Sequence, residues 1–438
     1  MQSERLRKRT LRRRGAVAIL IALLLPVLLG FLVVTLEGGL SRDTRRKVQN
    51  AADAAALAAA TELFIHYPAI VDSSFSDADP SGSGVAAAKA AAAANGFPDG
   101  GNSTVVVNLP PESGPFKNKA GYAEVIVTFN QPRYLSRMWG GESIPVVARA
   151  VSRARWAGTN IGIMVLDPAV KNALIGSGTG NLTVTGGSPG TQGAAVIVNS
   201  SDWIAAAATG GGLLTAPEFK ITGGYTGALI GDVETGVPPS PDPLRHLPEP
   251  IVTQPGMMTV TNLGPGSKQY TLTPGYYSKL PTFTTGDVVI LQQGGIYSIT
   301  GGGFKSTGAT IKMDPDSSGG VMIYNNPSGS AESDVIAITG NAAGTVNLSA
   351  LTEGPYAGIL LWQKRKATQS LSVAGGGSFT LLGTFYAANA LLNVTGNGDA
   401  VIGSQYISRT LSLGGGGNTL INYTDEGTAR LREVILVE

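Results

Sequence analysis

Residues 371–423 read LSVAGGGSFTLLGTFYAANALLNVTGNGDAVIGSQYISRTLSLGGGGNTLINY, and this stretch decides how the larger part of the chain folds. Short apolar runs alternate with glycine turns, and no amphipathic helix of 10 to 15 residues comes between them, which argues against a βαβ enzyme fold. The runs recur at a fixed distance. Val373, Val394 and Leu413, each just ahead of a glycine turn, lie 21 and 19 residues apart. Gly383-x-x-Tyr386 and Gly403-x-x-Tyr406 are separated by 20, as are Gly275-x-Tyr277 and Gly295-x-Tyr297 upstream. A period near 20 with short strands in each period is the pattern of a β-solenoid, whose coils bury their apolar residues only by stacking on one another.

The same texture extends over residues 158–425, as in LTVTGG at 182–187, AVIVN at 195–199 and FKITGG at 219–224. The run 287–291, polar at one end and then continuous in Val, Ile and Leu, suits a strand paired on both sides. The expected fold is mostly β, with a right-handed parallel β-helix as the main body. In pattern, though not in any residue motif, it resembles the β-helix domains of bacterial surface proteins. A β-sandwich or propeller with regular hairpins is the competing architecture. Asn199, Asn389 and Asn393 are candidates for ladders between coils. The proline-rich segment PPSPDPLRHLPEPIV, residues 238–252, predicts a rigid extended excursion. Residues 426–438, charged and then apolar, are expected to cap the last coil or to add an edge strand.

Composition excludes several classes. Hydrophobic residues make up 43% and charged residues only 14%, so the chain is no solvated disordered polymer. Its 60 glycines lack a G-X-Y period, which excludes collagen. Cysteine is absent, which removes disulfides, thiolate zinc sites and cysteine nucleophiles. The net charge of +2 comes mostly from Arg5, Arg7, Lys8, Arg9, Arg12, Arg13 and Arg14. A basic cluster confined to the N-terminus has its explanation in a membrane, and no nucleic-acid partner is expected.

That membrane segment is AVAILIALLLPVLLGFLVVTL, residues 16–36. Its 21 uncharged residues make a helix of about 31 Å, against a hydrocarbon core of about 30 Å. Pro26 in its middle is tolerated in a membrane helix. A cleaved signal peptide fits less well: the apolar run is too long, and Glu37-Gly38-Gly39 offers no small-residue cleavage site. Seven basic residues precede the span, and Arg42, Arg45, Arg46 and Lys47 follow it, so the charge bias favours residues 1–15 as a cytoplasmic tail. The expected location is the inner membrane, single-pass, with the later domains extracytoplasmic. Residues 41–64 are rich in helix formers, so the span is expected to continue as one rod to about Phe64. Its alanines let another helix approach closely, from a partner or from its own domain. A second alanine-rich helix at 85–94, ending at Asn95-Gly96, and strands at 104–109, 123–129 and 144–152 predict a small α+β domain within residues 37–157.

Here a specific resemblance appears. Residues 12–60 carry Arg13-Arg14-Gly15 before the apolar run, Leu25-Pro26 within it, an acid just after it, and Gln49-Asn50-Ala51-Ala52-Asp53 opening an alanine tract. This segment resembles the N-terminus of the TadG-like proteins of Flp (tight-adherence, Tad) pilus assembly. Glu37 stands where that family typically has aspartate. The resemblance implies a membrane anchor, a pilin-like small domain and partners in the Tad pilus or secretion machinery, with Arg13, Arg14, Gly15, Pro26, Glu37, Gln49, Asn50 and Asp53 as the family-like positions. Prepilin-type processing is not implied, because Leu20 occupies the place of the required glutamate. Some family members carry a von Willebrand A domain whose metal site begins D-x-S-x-S. Asp72-Ser73-Ser74-Phe75-Ser76 satisfies that string, but without the preceding buried strand.

A β-helix body also raises the alternative of a membrane-tethered polysaccharide lyase or hydrolase, which would need converging carboxylates. The close acidic pairs are Asp232 with Glu234, Asp314 with Asp316, and Glu332 with Asp334; Asp287, Glu353 and Asp399 are scattered. None has an evident catalytic partner, and His66 and His246 lie in different regions. Gly414 to Gly417 lack the lysine and hydroxyl of a phosphate loop. Lys364, Arg365 and Lys366 form a dense basic triplet, expected in a solvated loop, with surface-glycan binding as the functional alternative. Trp362 beside them is expected to pack, or, if exposed, to stack on sugar. The sequence therefore assigns no catalytic, cofactor or metal residue and points to a non-enzymatic role in assembly and adhesion.

Overall fold

The computed structural model describes residues 2–66, 79, 81–119, 121–134, 136–187, 193–245, 247–340, 344–376, 379–397, 400–424 and 427–438. The chain divides into two compact units: Met1–Arg155 with Arg432–Glu438, and Trp156–Leu431.

In the first unit one unbroken helix, α1, runs from Gln2 to His66. Pro26 does not end it. Among the described residues, α1 carries the one stretch long and apolar enough to cross a membrane. Its side chains there face outward, with Leu23 70% and Phe31 68% exposed. Exposing that many leucines and valines to water would cost about 1.5–3 kcal/mol each, a cost that lipid removes.

Beyond the span the burial pattern changes. Ala51 and Ala52, Ala55 and Ala56, Ala59 and Ala60, then Leu63 and Phe64 are buried in pairs four residues apart, which is one face of a helix. Against α1 packs α2, Ser83–Ala94, whose buried residues Gly84, Ala88 and Ala92 repeat at the same interval. A Cβ added at Gly84 would lie 3.1 Å from Leu109 Cδ1 and 3.5 Å from the Ala59 carbonyl oxygen. Small side chains on both helices are what allow this approach. The alanine face is thus taken up by the protein's own second helix.

The helices pack with an antiparallel sheet of β1 (Ser103–Asn108), β2 (Tyr122–Pro132) and β3 (Ser143–Gly158). A fourth strand, Arg430–Leu436, lies beside β3. Of the two roles expected for the C-terminal segment, it takes the edge strand, and it does so in the first unit's sheet.

The second unit is built of short parallel strands, most of which pair with the strand three further along the chain. One column of partners runs Phe304, Ile336, Leu371, Leu392, Leu411, Leu174 and Ala206, and every member is buried. Each buries its neighbours, which is why the apolar runs are short yet continuous in space. Val373, Val394 and Leu413 pair in register, as their spacing predicts. The glycine–tyrosine spacings do not mark register. Gly275 pairs with Tyr297, and Tyr386 pairs with Ile407 rather than Tyr406. Between parallel strands that follow one another along the chain, pairing offsets run from 14 residues, Glu218 to Asp232, up to 38, Ile323 to Leu361. Loops between strands vary in length, so a residue motif keeps its spacing without keeping its place.

The asparagine ladders are not formed either. Asn393 pairs with Ser372 and Ser412, and Asn199 bonds to Ser240. Close polar matches between neighbouring strands are Asn325 Nδ2 donating to Gln363 Oε1 and Thr384 Oγ1 donating to Gln405 Oε1, both at 2.9 Å between fully buried residues.

Order along the stack differs from order along the chain. The strands Ile161–Val165, Leu174–Gly176 and Leu182–Gly186 pair on one side with Gln405–Gly414 and Thr419–Tyr423. On the other side they pair with Ala195–Val198, Ala206–Ala208 and Leu214–Ile221. The chain therefore enters this unit in mid-stack and builds outward to Leu229–Thr235. Residues 236–257 then carry it to the opposite end, where the antiparallel pair Met258–Gly264 and Ser267–Leu272 begins the return. Glycines line one corner where the coils press together: a Cβ on Gly178 would sit 2.3 Å from the Gly415 oxygen, and one on Gly180 2.0 Å from the Gly417 oxygen. Within the run Gly414 to Gly417, Gly415 is the position that backbone contact requires: at φ +117° a Cβ there would sit 1.9 Å from the Gly396 oxygen.

Candidate functional site

Two places concentrate the polar interactions that the sequence singled out. The first is where α1 leaves its apolar stretch and enters the folded domain. Glu37 Oε1 accepts the backbone N–H of Tyr134 at 3.1 Å and of Ser136 at 2.8 Å. Three turns on, Gln49 Nε2 donates to Asp53 Oδ1 at 2.8 Å and to the Arg149 carbonyl of β3 at 3.1 Å. Ser152 Oγ of β3 donates to the Ala56 carbonyl. Glu37, Gln49 and Asp53 therefore fasten the helix to the loop after β2 and to β3, while Asn50 is exposed. Pro26 lies within the apolar stretch, and for Arg13, Arg14 and Gly15 the helix backbone alone is described.

Beside this junction lies a charge network that the sequence did not disclose, because its members are scattered. Glu124 is fully buried. Burial pushes its carboxyl up, but bonds from Asn108 Nδ2, Ser113 Oγ, the Glu112 N–H and Arg149 Nε outweigh that and hold it down at about 2. Arg149 Nη1 also pairs with Glu438 at 2.8 Å. The network links β1, β2, β3 and the C-terminal residue of the same unit, a positioning role that leaves no free acid for chemistry.

The second place is on the body. Residues 240–245 and 247–249 are bound along a row of outward-facing apolar side chains: Met164, Ile197, Tyr324, Trp362, Tyr386 and Ile407, with Leu244 buried among them. Asn199 exchanges two bonds with the backbone of Ser240, at 2.7 and 2.9 Å. Arg365 Nη2 donates to the carbonyls of Leu244 and Leu247, both at 2.6 Å, and Nε donates to Tyr386 Oη at 2.9 Å. Its guanidinium carbon stands 5.3 Å from the Trp362 ring centre and 5.5 Å from that of Tyr386. The Tyr386 hydroxyl donates to Asp242 Oδ2 at 2.6 Å; burial, with the adjacent Asp242 charge, pushes that phenol up.

One expectation is corrected here, and another in part. Arg365 is no member of a solvated loop, since its planar fork is spent on two carbonyls and a tyrosine. Trp362 packs, the first of its two readings: it is 0% exposed and offers no face to a sugar. The proline-rich excursion is not extended throughout, since it turns at Pro243 to Arg245 with the Arg245 N–H donating to the Asp242 carbonyl, and it proves to be a strap that covers an apolar row.

The acidic pairs do not converge. Asp232 and Glu234 are exposed on the outermost strand Leu229–Thr235. Asp314 Oδ1 caps the N–H of Asp316 within a turn. Asp334 Oδ1 accepts the Gly302 N–H at 2.7 Å, and Asp287 accepts those of Lys268 and Thr284, each at 2.9 Å. Among the described residues no three His, Asp or Glu are grouped to hold a metal ion. Asp72 to Ser76, His246 and Asp399 lie outside the described residues, and the His66 side chain does too.

With this geometry in view, residues 15–62 match a family model described as putative Flp pilus-assembly TadE/G-like. The matched segment begins at Gly15 and ends within the buried alanine face of α1. No curated protein and no solved structure matches the chain.

Proposed function

We propose that this protein is a non-enzymatic, single-pass membrane component of Flp/Tad pilus assembly or secretion. In this reading residues 16–36 span the inner membrane, residues 1–15 are cytoplasmic, and the body is a right-handed parallel β-helix held outside the cytoplasm for adhesion or envelope contact. One observation carries it: the segment that matches the pilus-assembly family coincides with a membrane-length helix that enters a folded domain without a break. The strand-to-third-strand parallel pairing and the single-file columns of buried residues support the β-helix. The engaged or dispersed state of the acidic pairs supports assembly rather than turnover.

The test is recovery of partners. Full-length tagged chain, solubilised from its native membranes, should bring down Flp/Tad machinery proteins. Replacing residues 16–36 by an unrelated apolar span should keep the chain in the membrane and reduce that recovery at least about tenfold, a coupling near 1.4 kcal/mol. Intact chain that recovers none of the machinery would sink the assignment.

A further inference from the structure

The span ends at Leu36, and the next residue is Glu37. Glu37 Oε1 holds the backbone N–H groups of Tyr134 and Ser136 at 3.1 and 2.8 Å. If the helix leaves the hydrocarbon here, residues 134 and 136 lie at the same depth, because a hydrogen bond allows no gap between them. The segment they belong to, residues 133–142, reads RYLSRMWGGE. Within its first seven residues it gathers Arg133, Arg137, Tyr134, Trp139, Leu135 and Met138, the aromatic and basic mixture enriched at membrane interfaces.

Tyr134 is 70% exposed. Arg137 pairs with Glu142 at 2.5 Å across the loop, both side chains exposed, so the charges close the turn on itself. Arg137 belongs to the short helix Ser136–Trp139. An amphipathic ring at headgroup level has its apolar body in the acyl boundary and its polar end in water, a place that solvent alone does not offer.

We infer that residues 133–142 form a second membrane contact, with the lipid headgroup and acyl boundary as the partner. The inference rests on the spanning role of residues 16–36. Its consequence is orientational: a single helix leaves the domain free to tilt and spin about the helix axis, and a second contact beside it removes that freedom. Glu37, the family-like acid, is then the residue that ties the loop to the helix at the bilayer surface.

The chain has no cysteine, so single-cysteine labelling is specific. Gly141→Cys keeps every aromatic residue, and a Cβ there meets nothing within 4 Å. Full-length protein with an environment-sensitive fluorophore at this position is placed in phosphatidylcholine–phosphatidylglycerol nanodiscs. Lipids spin-labelled near the headgroup should lower its emission about twofold, as for a probe at the interface. Quenching by an aqueous agent alone, with no effect of spin-labelled lipid, would overturn the inference. Leu28→Cys, labelled in parallel, must be quenched by lipids spin-labelled deep in the chain. Failure of that second probe would instead remove the spanning reading itself.

Discussion

Changing Arg365 to alanine should free the strap and lower the stability of the second unit by about 2–4 kcal/mol, from the loss of three charge-assisted hydrogen bonds made by a half-buried guanidinium. The guanidinium donates to the carbonyls of Leu244 and Leu247 and to the Tyr386 hydroxyl. Alanine leaves those acceptors facing an apolar row with no donor, and water can reach them only by lifting residues 242–249. Leu244 and Trp362 would then lose their cover. Arg365→Lys should recover little, because a single ammonium does not reproduce a fork aimed at three acceptors. Limited proteolysis and thermal unfolding check this: faster cleavage within residues 238–252 and a lower midpoint are expected. Unchanged cleavage and midpoint would mean that the strap is held by other contacts.

The second large effect is expected from crowding the alanine face. Ala55 and Ala59 are fully buried where α1 meets α2 and the sheet, and α2 presents Gly84, Ala88 and Ala92. Leucine at both positions should destabilise the first unit by about 2–6 kcal/mol, at roughly 1–3 kcal/mol for each overpacked site. Ala54→Leu with Ala58→Leu, on the half-buried side of the same helix, should cost far less. Thermal unfolding of the full chain in detergent, read by tryptophan fluorescence and protease resistance, separates the pairs. Equal tolerance of both pairs would contradict the close helix packing.

Much of the architecture could be read from residues alone because it depends on local pattern. The uninterrupted apolar run and the helix formers that follow it specify a single rod, and α1 is one. Asn95-Gly96 marks the end of α2, where Gly96 takes φ +90°. Val373, Val394 and Leu413 pair as spaced, because each sits at the same register position of its parallel strand. What depends on distant partners was not legible. The mid-stack entry of the chain leaves no local trace, since parallel pairing of Leu411 with Leu174 looks like any other pairing. Arg365 reads as one of three basic residues until residues 242–249 are laid over it. Glu124 and Arg149 lie 25 residues apart on neighbouring strands, and nothing in either strand's sequence announces the network.

The candidate junction was half visible. Glu37, Gln49 and Asp53 stand out by resemblance, and the structure gives them work: Glu37 holds the loop after β2, and Gln49 holds both Asp53 and β3. The contribution of that loop could not be foreseen, because its contact with α1 joins residues nearly a hundred positions apart.

The account turns on a membrane helix with a folded body beyond it, and the absence of cysteine makes its sidedness directly measurable. Single-cysteine variants Ser3→Cys, in the N-terminal tail, and Ile251→Cys, 90% exposed on the body, are treated with a membrane-impermeant maleimide in intact spheroplasts. The account predicts labelling of Ile251→Cys in intact spheroplasts and of Ser3→Cys only after lysis. Labelling of Ser3→Cys alone before lysis would contradict it.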